Sequence, residues 1–123
     1  MPENLVKDNF ETILEAIGLI EERLAKISQA RDFISTSDGT LILDAIAMRL
    51  QVIGELVKKI DKSEPTLLRN YADIDWRVVM RLRDIISHHY DILDHEIIYD
   101  ICKNHIPALK VTVTKISRNL GYG

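Results

Sequence analysis

An all-α fold, an antiparallel bundle of four to five helices, is what this chain predicts, and three observations carry the prediction. Apolar residues recur in steps of three and four through most of the 123 residues. Gly and Pro are scarce, at 5 and 3. The nearest thing to a strand, Val111-Thr112-Val113-Thr114, is short and flanked on both sides by helical spacing, so it reads as helix.

The first helix is marked by Val6, Phe10, Ile13, Ile17, Ile20, Leu24 and Ile27, whose alternating steps of four and three give a coiled-coil-like seam. At 1.5 Å per residue such a helix is roughly 30 Å long. Phe33 and Ile34 extend it or pack beyond it, and Ser35-Thr36-Ser37-Asp38-Gly39 has the composition of a turn. A second helix carries Ile42, Ala45, Ile46, Val52, Ile53, Leu56, Val57 and Ile60, with Arg49 as the polar interruption of the stripe. Gly54 lies inside it and costs about 1 kcal/mol against Ala, so either a neighbouring helix approaches closely there or the glycine is simply tolerated. Glu55 beside it tolerates partial burial only with a partner.

Asp61-Lys62-Ser63-Glu64-Pro65 ends that helix and restarts the chain, with Ser63 as candidate N-cap and Pro65 in a first turn. A short helical piece reaches about Tyr71. Asp73 or Asp75 caps a third helix bearing Trp76, Val79, Leu82, Ile85 and Ile86, and Asp94 caps a fourth. The last helix shows Ile97, Ile98, Ile101, Ile106, Leu109, Val113 and Ile116, with a kink expected at Pro107, which lacks a backbone donor. Residues 1–123 are one domain by length.

Composition narrows the function. A formal charge of -3 argues against a broad electrostatic grip on nucleic acid, and no DNA partner is expected. A local basic patch remains, with Arg69, Arg77, Arg81 and Arg83 close together. Arg77 and Arg81 are the candidate RNA-phosphate contacts. The lone Cys102 forms no disulfide within the chain and no spacing resembles a zinc site, so neither a metal nor a cofactor is expected. Residues 1–10 carry Glu3, Lys7 and Asp8 and no leader pattern, and no stretch approaches a membrane span. The expected compartment is the cytoplasm, with no membrane partner.

The stretch Arg83-Asp84-Ile85-Ile86-Ser87-His88-His89-Tyr90 concentrates the chemistry at the end of an apolar helical pattern. Read as a continuous helix, Trp76, Val79, Arg83, Ile86 and Tyr90 form one stripe and Val78, Leu82, Ile85 and His89 a second. Two stripes ask for two partners, so a symmetric homodimer with this helix near its interface is expected. Arg83 and His88 are five residues apart and about 140° around such a helix. Either the helix unwinds near Ser87, the long arginine reaches around, or a dimer assembles the site.

Arg, His and Tyr without a metal cage suit phosphate chemistry on RNA, which carries its own nucleophile. His88 can take the proton of a 2′-hydroxyl near neutral pH, Arg83 can hold the phosphate with a bidentate fork, and Asp84 can orient either. The same groups also suit structural salt bridges and a helix end, which is the bland alternative.

The segment resembles the HepT-like branch of the HEPN (higher eukaryotes and prokaryotes nucleotide-binding) superfamily, whose mark is Arg, four residues, His, one residue, Tyr, met by Arg83, His88 and Tyr90. Ile53-Gly54-Glu55, Tyr71 followed by Ile74-Asp75-Trp76, and Ile106-Pro107-Ala108-Leu109 fall where HepT-like chains carry similar pieces. The resemblance implies a helical dimer with a composite cleft, acting as a metal-independent ribonuclease toxin. It further implies an antitoxin partner, a minimal nucleotidyltransferase of the MntA type, which transfers AMP to Tyr90 and silences the toxin. Asp84 stands where this family often has Asn, which keeps a polar group and adds negative charge beside the phosphate site. The alternative is a non-catalytic helical dimer whose cleft holds a nucleotide or the nucleotidyltransferase.

Overall fold

The long first seam forms as its spacing predicts as far as Leu24, and Ile27 is buried beyond the end of the helix. In a computed structural model describing residues 2–89 and 92–121, α1 runs over Pro2–Leu24, and Val6, Phe10, Ile13, Ala16, Ile17 and Ile20 are buried along one side. After it come α2 (Asp32–Ser35) and the longest helix, α3 (Ser37–Ser63), whose Leu43, Ile46, Ala47, Leu50, Ile53, Val57 and Ile60 face α1. A 3-10 turn at Leu68–Asn70 leads to α4 (Trp76–Met80) and α5 (Leu82–Ile85). Two short antiparallel strands, β1 (Ser87–His89) and β2 (Ile92–Leu93), precede α6 (His95–Asp100), a π-helical turn (Ile101–His105) and α7 (Ile106–Asn119).

One apolar core joins α1, α3, α4, α5, α6 and α7, so the architecture is an all-α bundle with a small ribbon set into it. The start of α7 meets the end of α1 through Lys110 Nζ and Glu21 Oε1 at 3.0 Å. Thr112 Oγ1 donates to Asp73 Oδ2 at 2.9 Å, tying α7 to the segment before α4. No described helix is long and apolar enough to cross a membrane.

Several local expectations change. The 35–39 stretch is not a turn: Thr36 caps α3 by accepting from the Gly39 N–H at 2.9 Å, and helix begins at Ser37. Ser63 ends α3 and caps nothing. The supposed third helix is two short ones, because the Arg81 backbone (φ -106°, ψ 14°) leaves the helical region. The two stripes therefore do not survive as written. Trp76, Leu82 and Ile86, drawn from both, are buried, whereas Val78 is 47% exposed.

Near Pro107 the expected irregularity takes the form of the π turn, a wider coil just ahead of the residue that lacks a donor. Cys102 lies buried in that turn, and burial pushes its thiol up to about 12.

Candidate active site at the helix-to-ribbon junction

Asp75 starts the site. Its carboxylate accepts from the Val78 N–H at 3.4 Å, so α4 begins at Trp76, whose Nε1 donates to the Tyr71 carbonyl at 2.9 Å. With Trp76 seated in the core, α4 presents Arg77 to solvent, and Arg81, at the break that follows the helix, is exposed as well. Behind that helix lies Gly54: a Cβ there would stand 2.9 Å from the Val79 carbonyl oxygen and 3.5 Å from Leu82 Cβ. The close approach expected of Gly54 is thus real, and it presses α3 against the point where α4 gives way to α5. Glu55, by contrast, is exposed and pairs with Lys58 at 3.3 Å.

In α5, Leu82 is buried while Arg83 and Asp84 project into solvent. Neither makes an ion pair or side-chain hydrogen bond with a described residue, so the arginine fork is open to an incoming anion. The helix stops because Ile86, fully buried, is held at both backbone groups: its N–H donates to the Leu82 carbonyl at 3.0 Å and its carbonyl accepts from the Asp94 N–H at 2.8 Å. A continuing helix needs that carbonyl for its own next turn.

Past Ile86 the chain is extended, the first of the three ways in which Arg83 and His88 could be related. The β1–β2 register pairs Ser87 with Leu93 and His89 with Ile92, leaving one more residue on β1 than on β2. His88 is that extra residue, at a bulge of the kind that re-aims a side chain. The His88 side chain and all of Tyr90 lie outside the described residues. Of the residues singled out from the sequence, Arg83 and Asp84 are therefore neighbours on α5, Arg77 lies on α4, Arg81 sits at the break between the two helices, and the His88 backbone follows within the ribbon.

Asp94 was legible as a cap, and it caps α6 by accepting from the Ile97 N–H at 2.9 Å. Its tie to Ile86 was not, since nothing in a short polar stretch announces a two-pair ribbon. Also unannounced is a cavity of about 300 Å³ between α4, α5 and the π turn, lined by Ile74, Val78, Val79, Leu82, Ile101 and Leu109. Among the described residues no group of three or more His, Cys, Asp or Glu is arranged to hold a metal ion.

Residues 13–116 match the family described as Ribonuclease HepT-like. Similar full-length relatives include the "Probable ribonuclease HepT" of Thermococcus cleftensis, 33% identical over 91% of this chain and 96% of its own length. The "Gamma-glutamylcyclotransferase and putative RNase" of Methanocaldococcus jannaschii is 31% identical over 94% of this chain, which spans 49% of that relative's length. No solved structure matches the chain.

Proposed function

The chain belongs to the HepT-like ribonuclease family, and on that premise we propose that it is a metal-independent RNA endonuclease acting in the cytoplasm as the toxin of a toxin–antitoxin pair. The observation that carries this reading is the junction at Ile86, where α5 gives an open Arg83 and the chain turns at once into the bulged strand bearing His88.

His88 accepts the proton of a ribose 2′-hydroxyl, and the freed oxygen attacks the adjacent phosphorus. The bond from phosphorus to the 5′-oxygen breaks and that oxygen takes up a proton from water, leaving a 2′,3′-cyclic phosphate and a 5′-hydroxyl, while His88 returns the proton it accepted to the solvent. Arg83 holds the non-bridging oxygens, whose charge grows in the transition state. Asp84, the next residue of the same short helix, points away from Arg83 on a straight helix and would orient it only by a side-chain movement when RNA binds. Arg77 and Arg81 extend positive charge along α4 and the break after it for flanking phosphates, giving affinity without base specificity.

In this reading two copies form a homodimer, and a nucleotidyltransferase antitoxin of the MntA type transfers AMP to Tyr90. Tyr90 follows His88 by two residues in the sequence, which is the ground for reading the modification as an off switch. Incubation of RNA with the wild type and His88→Ala in excess chelator tests the reading. Cleavage by the wild type alone supports it, and equal cleavage by both, or none by the wild type freed of antitoxin, sinks it.

A further inference from the structure

We propose that Asp94 is a positioning residue for the ribonuclease reaction: its carboxylate, by capping α6, and its backbone N–H, by holding the Ile86 carbonyl, together fix the separation of Arg83 from His88. The inference rests on the reading of His88 and Arg83 given above.

The strand bearing His88 is anchored to the bundle at Ile86, and its partner strand rejoins the bundle at Asp94, so the placement of the His88 backbone depends on how those two residues are held. A two-stranded ribbon of two pairs has little stability of its own. Its inner end is the point where the Asp94 N–H donates to the Ile86 carbonyl at 2.8 Å. Ile86 is immobile because its side chain is fully buried and its N–H is bonded to Leu82. Asp94 has to be held from the other side.

Two hydrogen bonds from the first turn of α6 hold it there. Its Oδ1 accepts from the Ile97 N–H at 2.9 Å, its carbonyl accepts from the Ile98 N–H at 3.0 Å, and Ile98 is itself fully buried. The extended Asp94 backbone (φ -89°, ψ 97°) is the conformation an N-cap requires, and it is also the one that points the Asp94 N–H across the ribbon at Ile86. One residue thereby links the C-cap of α5, which follows Arg83 and Asp84, to the first turn of α6. Removing the cap acceptor releases the Asp94 backbone, and the bulge at His88 shifts against a stationary Arg83.

The role is carried by an oxygen acceptor, not by charge. Asn and Ser cap as well as Asp does, whereas Ala does not. On a defined RNA in chelator, Asp94→Ala is expected to lower kcat about 10- to 100-fold, the scale of an ångström-level misplacement. KM should stay within about threefold, because the phosphate contacts of Arg83, Arg77 and Arg81 are untouched. Asp94→Asn and Asp94→Ser should return kcat to within about threefold of wild type. Should Asp94→Ala fail to fold, Asp94→Gly, which loosens the cap at a smaller cost in stability, takes its place in the comparison.

An unchanged kcat in the Ala or Gly variant, even with a lowered Tm, overturns the proposal and leaves Asp94 a structural cap. An Asn variant as slow as the Ala variant overturns it too, since charge would then be what acts. These failures are distinct from failure of the ribonuclease reading. An active wild type, an inactive His88→Ala and a fully active Asp94→Ala reject the role of Asp94 alone, whereas an inactive wild type rejects both.

Discussion

The backbone of Gly54 touches the backbone of Val79: a Cβ on the glycine would come within 2.9 Å of the valine carbonyl oxygen. The contact makes α3 the rigid back wall of the α4–α5 junction, directly behind the segment that carries Arg77, Arg81 and Arg83. Because a carbonyl cannot rotate away as a flexible side chain can, Gly54→Ala must move α4 or strain it. Overpacking of this kind costs about 1–3 kcal/mol, against which the helix propensity of Ala returns about 1 kcal/mol. Net destabilisation of up to about 2 kcal/mol in urea unfolding is expected. A stabilising change contradicts the contact.

Trp76 is expected to matter through its nitrogen as well as its bulk. Trp76→Phe removes the bond to the Tyr71 carbonyl, which keeps only the longer bond from the Ile74 N–H at 3.4 Å, for a loss of about 0.5–1.5 kcal/mol by equilibrium unfolding. Tyr71→Phe leaves this carbonyl in place and should cost less, since it gives up only the exposed bond from Asn119 Nδ2 to the Tyr71 hydroxyl.

Cys102 should be inert and should give stability a definite dependence on alkaline pH. Its thiol is pushed from the usual 9.0 up to about 12 by burial. The folded protein therefore binds this proton more tightly than the unfolded chain, so the stability gained is full below 9.0 and lost as pH rises through about 12. Cys102→Ala should flatten that part of the stability–pH curve. A thiol reagent at pH 8 should label the unfolded chain and spare the native one, and fast native labelling contradicts the burial.

The phosphate fork of Arg83 distinguishes arginine from lysine. Arg83→Lys keeps the charge and loses the planar pair of donors, so kcat should fall about 100-fold or more while binding of uncleaved RNA changes little. Arg77→Ala and Arg81→Ala should act in the opposite sense, weakening binding and its salt dependence with little effect on kcat. A reversal of these two patterns would move the reacting phosphate from α5 to α4.

How much of this could be read from the sequence depends on whether the controlling force was local. Apolar periodicity marked out α1, α3 and α7, and side-chain caps placed the start of α6 at Asp94 and narrowed that of α4 to Asp73 or Asp75, of which Asp75 is the cap, because both signals lie within a few residues. The N-terminus of α3 was misplaced because Thr36, Ser37 and Gly39 compose a turn as readily as a cap. There the decision came from packing, since a Cβ on Gly39 would collide with the backbone carbonyl of Asp32. The motif segment was misread for a similar reason. Arg83 to Tyr90 continues a helical pattern on paper, and what stops the helix is the Asp94 N–H arriving from outside it to take the Ile86 carbonyl. The residue types of the site were legible, and its geometry was not.

The account rests on RNA supplying its own nucleophile, and one substitution in the substrate tests that directly. A short RNA with a single preferred cleavage site is made with and without a 2′-deoxy sugar immediately 5′ to the scissile phosphate, and both are incubated with the wild-type protein in excess chelator. The account predicts that the all-ribose strand yields a 2′,3′-cyclic phosphate end and that the deoxy strand stays intact at that bond. Cleavage of the deoxy strand at an undiminished rate would contradict it, because the attacking oxygen would then have come from water.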